Sequence, residues 1–208
     1  QVRVQVAAHG PDGRWARWWI ADPQGSLLDT GGVPCGGVAE AAFTAAGTGV
    51  YLLQAQAGAH DVSYSSATHG ICYPADASQR LGFTGATPDL HFFVPQGAEE
   101  VPLMLQTRDR EGVFEVLDAD GNVLAKRDGL GQAEVMDPGG AMVWSDKSSG
   151  SVYQRVAVPV AQGQAGRVWT LRFTAGSNAS IHRSNLYFAD DFPGYVATDP
   201  AGLLRARE

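Results

Sequence analysis

Two tryptophans flank an arginine at alternate positions in Trp15-Ala16-Arg17-Trp18-Trp19. Residues two apart on an extended strand share a face, so Trp15, Arg17 and Trp19 would stand in one row. The C–H faces of sugar rings stack on flat indoles, and a guanidinium between two indoles can donate to hydroxyls. The row is a candidate carbohydrate platform. Trp144 lies in a polar, glycine-rich stretch near Asp146 and Lys147. It is either a loop anchor or a further ligand contact. Trp18 and Trp169 sit in apolar strand patterns and read as core.

Local catalytic signatures are missing from the sequence: there is no G-x-S-x-G, no H-E-x-x-H, no P-loop and no C-x-x-C. His9, His60, His69, His91 and His182 are scattered. If the chain were a hydrolase or lyase in its own right, its candidates would be His60, Asp61, His69 and Tyr73. Surface loop histidines are the simpler account, and no catalytic residue is assigned. Asp118, Asp120 and Asn122 superficially suggest a calcium loop, yet Gly121 stands between the last two and no Glu follows at the needed spacing. A hairpin turn explains that segment better. A structural calcium near Asp190 and Asp191 is the remaining weak metal candidate, and no other cofactor is expected.

Cys35 and Cys72 stand 37 positions apart. An even count permits one disulfide, which would contribute ~2–4 kcal/mol and imply an oxidising compartment. The alternative is two buried free thiols; the bridge is the expectation. The sequence opens from Gln1 straight into Val2, Val4 and Val6, as a processed secreted chain or an excised domain would.

Composition sets the frame for these residues. The chain has 208 residues, 44% hydrophobic and 18% charged, which argues against a disordered chain. The net charge of −7 argues against a phosphate-binding surface, so no nucleic-acid partner is expected. No apolar run approaches the ~18–20 residues of a membrane-spanning helix. With 26 Gly and 11 Pro the chain is rich in turns. Between them recur short strand patterns: Val2 to Val6, Val50 to Ala55, Leu90 to Val94, Val101 to Leu105, Val113 to Leu117 and Val168 to Phe173. Only the tail from Asp199 to Arg205 could make a helical turn.

The chain also resembles itself. Gln1 to Val6 matches Glu100 to Leu105, Trp18 to Leu28 matches Phe114 to Leu124, and Gly49 to Gly58 matches Arg167 to Gly176. The offset is 96 positions between Asp22 and Asp118 and 118 between Val50 and Val168, so the second copy carries about 22 extra residues within 125–167. Each copy turns at Asp-x-x-Gly, where Asp caps its own turn and Gly supplies a positive φ. The comparison sorts the tryptophans: Trp18 aligns with Phe114 and faces the core, whereas Trp19 aligns with Glu115 and Trp15 with Glu111, and carboxylates face water. The expected fold is all-β: an antiparallel, jelly-roll-like β-sandwich in two related repeats packed together, with repeats at 1–66 and 91–208 and a connecting segment at 67–90. At about 66 residues the first copy is small for independent folding.

The strings Ala21-Asp22-Pro23-Gln24-Gly25-Ser26-Leu27-Leu28, then Phe43, then Gly49-Val50-Tyr51-Leu52-Leu53, resemble the bacterial pre-peptidase C-terminal domain and related jelly-roll modules. The second copy shows Leu117-Asp118-Ala119-Asp120-Gly121-Asn122-Val123-Leu124 and Gly166-Arg167-Val168-Trp169-Thr170-Leu171. Leu90 to Gly97 and the tail Asp199 to Leu204 look like β-sandwich modules attached to secreted bacterial polysaccharide-degrading enzymes. The resemblance implies a secreted or periplasmic, non-catalytic accessory module. Its partner would be a polysaccharide or oligosaccharide, for which Trp15, Arg17, Trp19 and Trp144, read above from the residues alone, are the candidate contacts. The alternative it implies is a structural domain docking on a neighbouring protease or hydrolase domain of the same protein. The extra segment and the paired tryptophans depart from the pattern.

Overall fold

A computed structural model describes residues 1–10, 15–47, 49–56, 61–85, 87–107, 111–129, 132–136, 142–147, 153–176 and 183–203, with backbone alone at 84, 132–134, 142–147 and 183. Among these residues every regular element is a β-strand except one 3-10 turn, Pro200–Gly202, which Asp199 caps by accepting from the Ala201 N–H at 2.9 Å. All strand pairings are antiparallel. The chain divides into two compact units, Gln1–Ile71 and Cys72–Glu208.

The described residues of the first unit form six strands: β1 (Val2–His9), β2 (Trp15–Ala21), β3 (Leu27–Pro34), β4 (Val38–Phe43), β5 (Leu52–Gln56) and β6 (Asp61–Ser65). They form two three-stranded sheets, β4-β1-β6 and β3-β2-β5. Alternation turns one face of each sheet inward. Val6, Ala8 and Ala41 from one sheet meet Ala16, Trp18, Ile20 and Val33 from the other in one core. Trp18 is its largest member, and it fits because its cross-strand neighbour is Gly31. A Cβ on Gly31 would clash with the indole ring.

Those of the second form twelve: β7 (Tyr73–Pro74), β8 (Leu81–Thr84), β9 (Leu90–Phe93), β10 (Glu100–Gln106), β11 (Val113–Leu117), β12 (Val123–Asp128), β13 (Gln132–Met136), β14 (Met142–Lys147), β15 (Gln154–Pro159), β16 (Val168–Thr174), β17 (Arg183–Phe188) and β18 (Tyr195–Val196). A four-stranded sheet, β15-β10-β17-β8, faces a six-stranded sheet, β14-β13-β12-β11-β16-β9, while β18 and β7 pair separately. Val101, Leu103, Val158 and Phe188 from the first sheet pack with Val116, Trp169, Leu171 and Phe92 from the second. Trp169 is fully buried, donates to the Gln164 carbonyl at 3.2 Å and meets Phe92 edge-on. The segment 67–90, expected as a connection, holds the division between the units and then β7 and β8 of the second.

Strand order is the same in both units: β4-β1-β6 has its counterpart in β15-β10-β17, and β3-β2-β5 in β12-β11-β16. Registers agree as well. Ile20 pairs with Leu53 as Val116 pairs with Leu171, and a bulge falls after Ile20 as it does after Val116. Both Asp-x-x-Gly turns close alike. The Asp22 carboxylate accepts from the N–H groups of Gln24 and Ser26, and that of Asp118 from Asp120 and Asn122, at 2.7–2.9 Å. Gly25 and Gly121 adopt φ of 86° and 85°, where a side chain would be strained. The extra residues of the second unit include β13 and β14, a hairpin that extends the sheet beyond β12.

Gly31→Ala should therefore destabilise the first unit by about 1–3 kcal/mol, the range for overfilling a packed core. Gly47→Ala, where a Cβ meets nothing within 4 Å, should leave stability unchanged. Chemical denaturation of the two variants checks this, and equal midpoints would contradict it.

Candidate functional site

Strand β2 turns Ala16, Trp18 and Ile20 inward and Trp15, Arg17 and Trp19 outward. Trp15 is 63% exposed, Arg17 is exposed and Trp19 is half-buried. Residues paired directly across strands share a face. The outer face therefore carries Pro34, Gly32 and Thr30 of β3 opposite the row, and Gln56 and Gln54 of β5 opposite Arg17 and Trp19. Two features fix the indoles. A Cβ on Gly32 would come within 3.0 Å of the Trp15 ring, so that ring lies across the glycine backbone. The Trp19 Nε1–H donates to Gln54 Oε1 at 2.7 Å. Consecutive glycines thus serve opposite faces of β3: Gly31 seats Trp18 inside and Gly32 seats Trp15 outside.

Arg17 has no hydrogen-bond or ion-pair partner among the described residues. The other described arginine side chains are engaged. Arg3 faces Glu40, Arg155 bridges Glu100 and Asp190, Arg167 holds Asp120 and Arg172 holds Asp89. Arg80 lies over the rings of Tyr153 and Tyr187, and Arg127 donates to Gln154. An unengaged guanidinium between two seated indoles offers donors to an incoming polar ligand.

The second unit carries charges at positions that match the row. Glu115 occupies the place of Trp19, 3.9 Å from Lys126, and Arg172 grips Asp89 through two bonds of 2.9 and 3.1 Å. That grip holds the Asp89 carboxyl below the usual carboxylate range. A solvated charge network suits the position, so the fold itself does not require Trp19.

The other candidates are dispersed. Trp144 lies in β14 opposite Glu134, and its side chain is outside the described residues. Asp190 binds Arg155 at 2.9 Å with a left-handed φ of 55°, and Asp191 is exposed. Among the described residues no three His, Cys, Asp or Glu side chains gather to hold a metal ion. Asp118 and Asp120 belong to the turn, where Asp120 accepts from Arg167 at 2.7 Å. His60 lies outside the described residues. Asp61 starts β6 opposite His9, His69 shares a 2.9 Å bond with the Thr68 hydroxyl, and Tyr73 lies in β7 of the second unit.

The structure lends no support to the disulfide expected between Cys35 and Cys72, both of which are free thiols in it. Cys35 follows β3 in the first unit and donates to the Gly10 carbonyl at 2.5 Å, whereas Cys72 belongs to the second unit. Burial pushes the Cys72 thiol above its ordinary pKa. The cysteines therefore give no argument for an oxidising compartment. No helix among the described residues is long and apolar enough to cross a membrane.

Sequence reading missed the glycines under the indoles and the buried Arg127. The signals were present: a Gly-Gly pair inside a strand marks close approach, and Arg127 shares the inward parity of Ala125. Comparison of the chain with protein-family models, with curated proteins and with solved structures finds no match.

Thiol titration in denaturant without reductant should give two thiols per chain, and in native buffer Cys72 should react more slowly than when unfolded. A titre of zero would restore the bridge.

Proposed function

We propose that this chain is a non-catalytic carbohydrate-binding accessory module, secreted or periplasmic, whose ligand is a polysaccharide or oligosaccharide lying along the outer face of β3-β2-β5. The observation that carries the reading is the row itself. Trp15 is open to solvent and seated on Gly32, Trp19 is held by Gln54, and Arg17 lies unengaged between them. A rigid aromatic loses little entropy on binding, which makes it an efficient contact. Arg17, Thr30, Gln54 and Gln56 supply donors and acceptors for hydroxyls around the indoles. The resemblance to modules of polysaccharide-degrading enzymes supports the same class. In this reading the two units are related copies, and Trp19 stands where the second unit has Glu115.

A second reading has the stripe dock on a neighbouring catalytic domain of the same protein. Leu27 and Leu28, 62% and 41% exposed, favour it, since they add apolar surface beside the row.

Affinity electrophoresis against neutral and acidic polysaccharides separates the two. Carbohydrate binding predicts retardation by at least one glycan. Trp15→Ala and Trp19→Ala should each weaken it about tenfold or more, as loss of an aromatic anchor does. No retardation with any glycan, or retardation unchanged in both variants, would leave the docking reading.

A further inference from the structure

Arg17 is the only charged side chain among the described residues of the face that carries the tryptophan row. Directly across from it stand Gly32 of β3 and Gln56 of β5. Across from Trp15 and Trp19 stand Pro34, Thr30 and Gln54. None of these five carries a charge. The three strands β2, β3 and β5 hold one carboxylate, that of Asp29. Asp29 pairs with core-facing Ile20, so it belongs to the opposite face, and it accepts from the Thr30 N–H at 2.8 Å.

The second unit puts acids where the first has none. Val113 pairs with Asp128 in the register in which Arg17 pairs with Gly32. Lys126 and Arg172 flank Glu115 in the register in which Thr30 and Gln54 flank Trp19. Lys126 has Glu115 beside it, and Arg172 has Asp89. The whole chain carries a net charge of −7. Against that acidic background the described part of the row's face keeps one exposed cation and no acid. Its charge is complementary to an anion.

Trp15 and Trp19 are four residues apart on β2, about 13 Å at ~3.3 Å per residue, with Arg17 midway. That span exceeds one sugar ring, so a glycan stacked on both indoles carries an intervening sugar over Arg17. We propose that the ligand of the row is an acidic polysaccharide, and that Arg17 takes a carboxylate or sulfate group borne by the sugar between the two stacked ones. The planar guanidinium donates paired N–H groups to two oxygens of such an anion. This rests on the carbohydrate reading of the row and narrows it from glycans in general to acidic ones.

Titration calorimetry of the full chain tests it, at an ionic strength of about 0.15 M, where distant carboxylates are screened beyond ~8 Å. The probes are an oligogalacturonate with its carboxyl-reduced form and a carrageenan oligosaccharide with its desulfated form, of equal length within each pair. At least one acidic form should bind about tenfold more tightly than its own neutral form, as a charge-assisted hydrogen bond provides. The pair that shows the preference tells carboxylate from sulfate. Arg17→Gln should abolish the preference. Trp15→Ala should weaken both members of that pair and keep the preference. Equal affinity within both pairs, or a preference that survives Arg17→Gln, would overturn the inference and leave the carbohydrate reading intact. Failure of all four probes to bind would overturn it too, and retardation by a neutral glycan in the electrophoresis would then show that the wider reading survives.

Discussion

A large aromatic ring can fill a thin sandwich only where the strand opposite gives up a side chain. The first unit depends on that exchange. Its core is small: alanines, valines and Ile20 around one indole. Trp18 is its largest side chain, and Gly31 makes the room. Once Trp18 is fixed inward, the two-residue period of β2 leaves no choice for its neighbours. Trp15, Arg17 and Trp19 must face out, onto a surface where Gly32 again has no side chain. The packing that stabilises the unit and the row proposed to bind sugar therefore come from one register.

The second unit meets the same constraint differently. It has more strands and a larger aromatic core, with Phe92, Phe114, Trp169, Phe173 and Phe188 sharing the work of the single indole. Phe114 is smaller than Trp18, and its partner position holds Arg127 instead of glycine. The outer face relaxes in parallel to a charge network of Lys126, Glu115, Arg172 and Asp89. Comparing two units of equal strand order separates what the topology requires from what each sheet adds to it.

Much of this was legible in the sequence. The all-β class and the positions of β1, β9, β10, β11 and β16 follow from alternation and punctuation, because period-2 patterning and turn chemistry are local. The inward Trp18 and outward Trp19 were legible because the chain offers Phe114 and Glu115 for comparison. Other features were not, because they are properties of pairs distant in sequence. Cys35 and Cys72 were expected to bridge on count alone, which carries no information about geometry. The seating of Trp15 on Gly32 and of Trp18 on Gly31 needs the β2–β3 register. The isolation of Arg127 needs knowledge of which side chains surround it, and no local pattern holds that.

The central claim is that one face of β2 engages ligand while the other holds the core. The most direct measurement is the set of indole N–H signals in a ¹H–¹⁵N spectrum, titrated with neutral cello-oligosaccharides and with anionic oligogalacturonates. Binding along the row should shift the signals of Trp15 and Trp19 with one of these series while those of Trp18 and Trp169 stay in place. Shifts at Trp18 or Trp169 without shifts at Trp15 and Trp19, or no shift at any indole with either series, would contradict it.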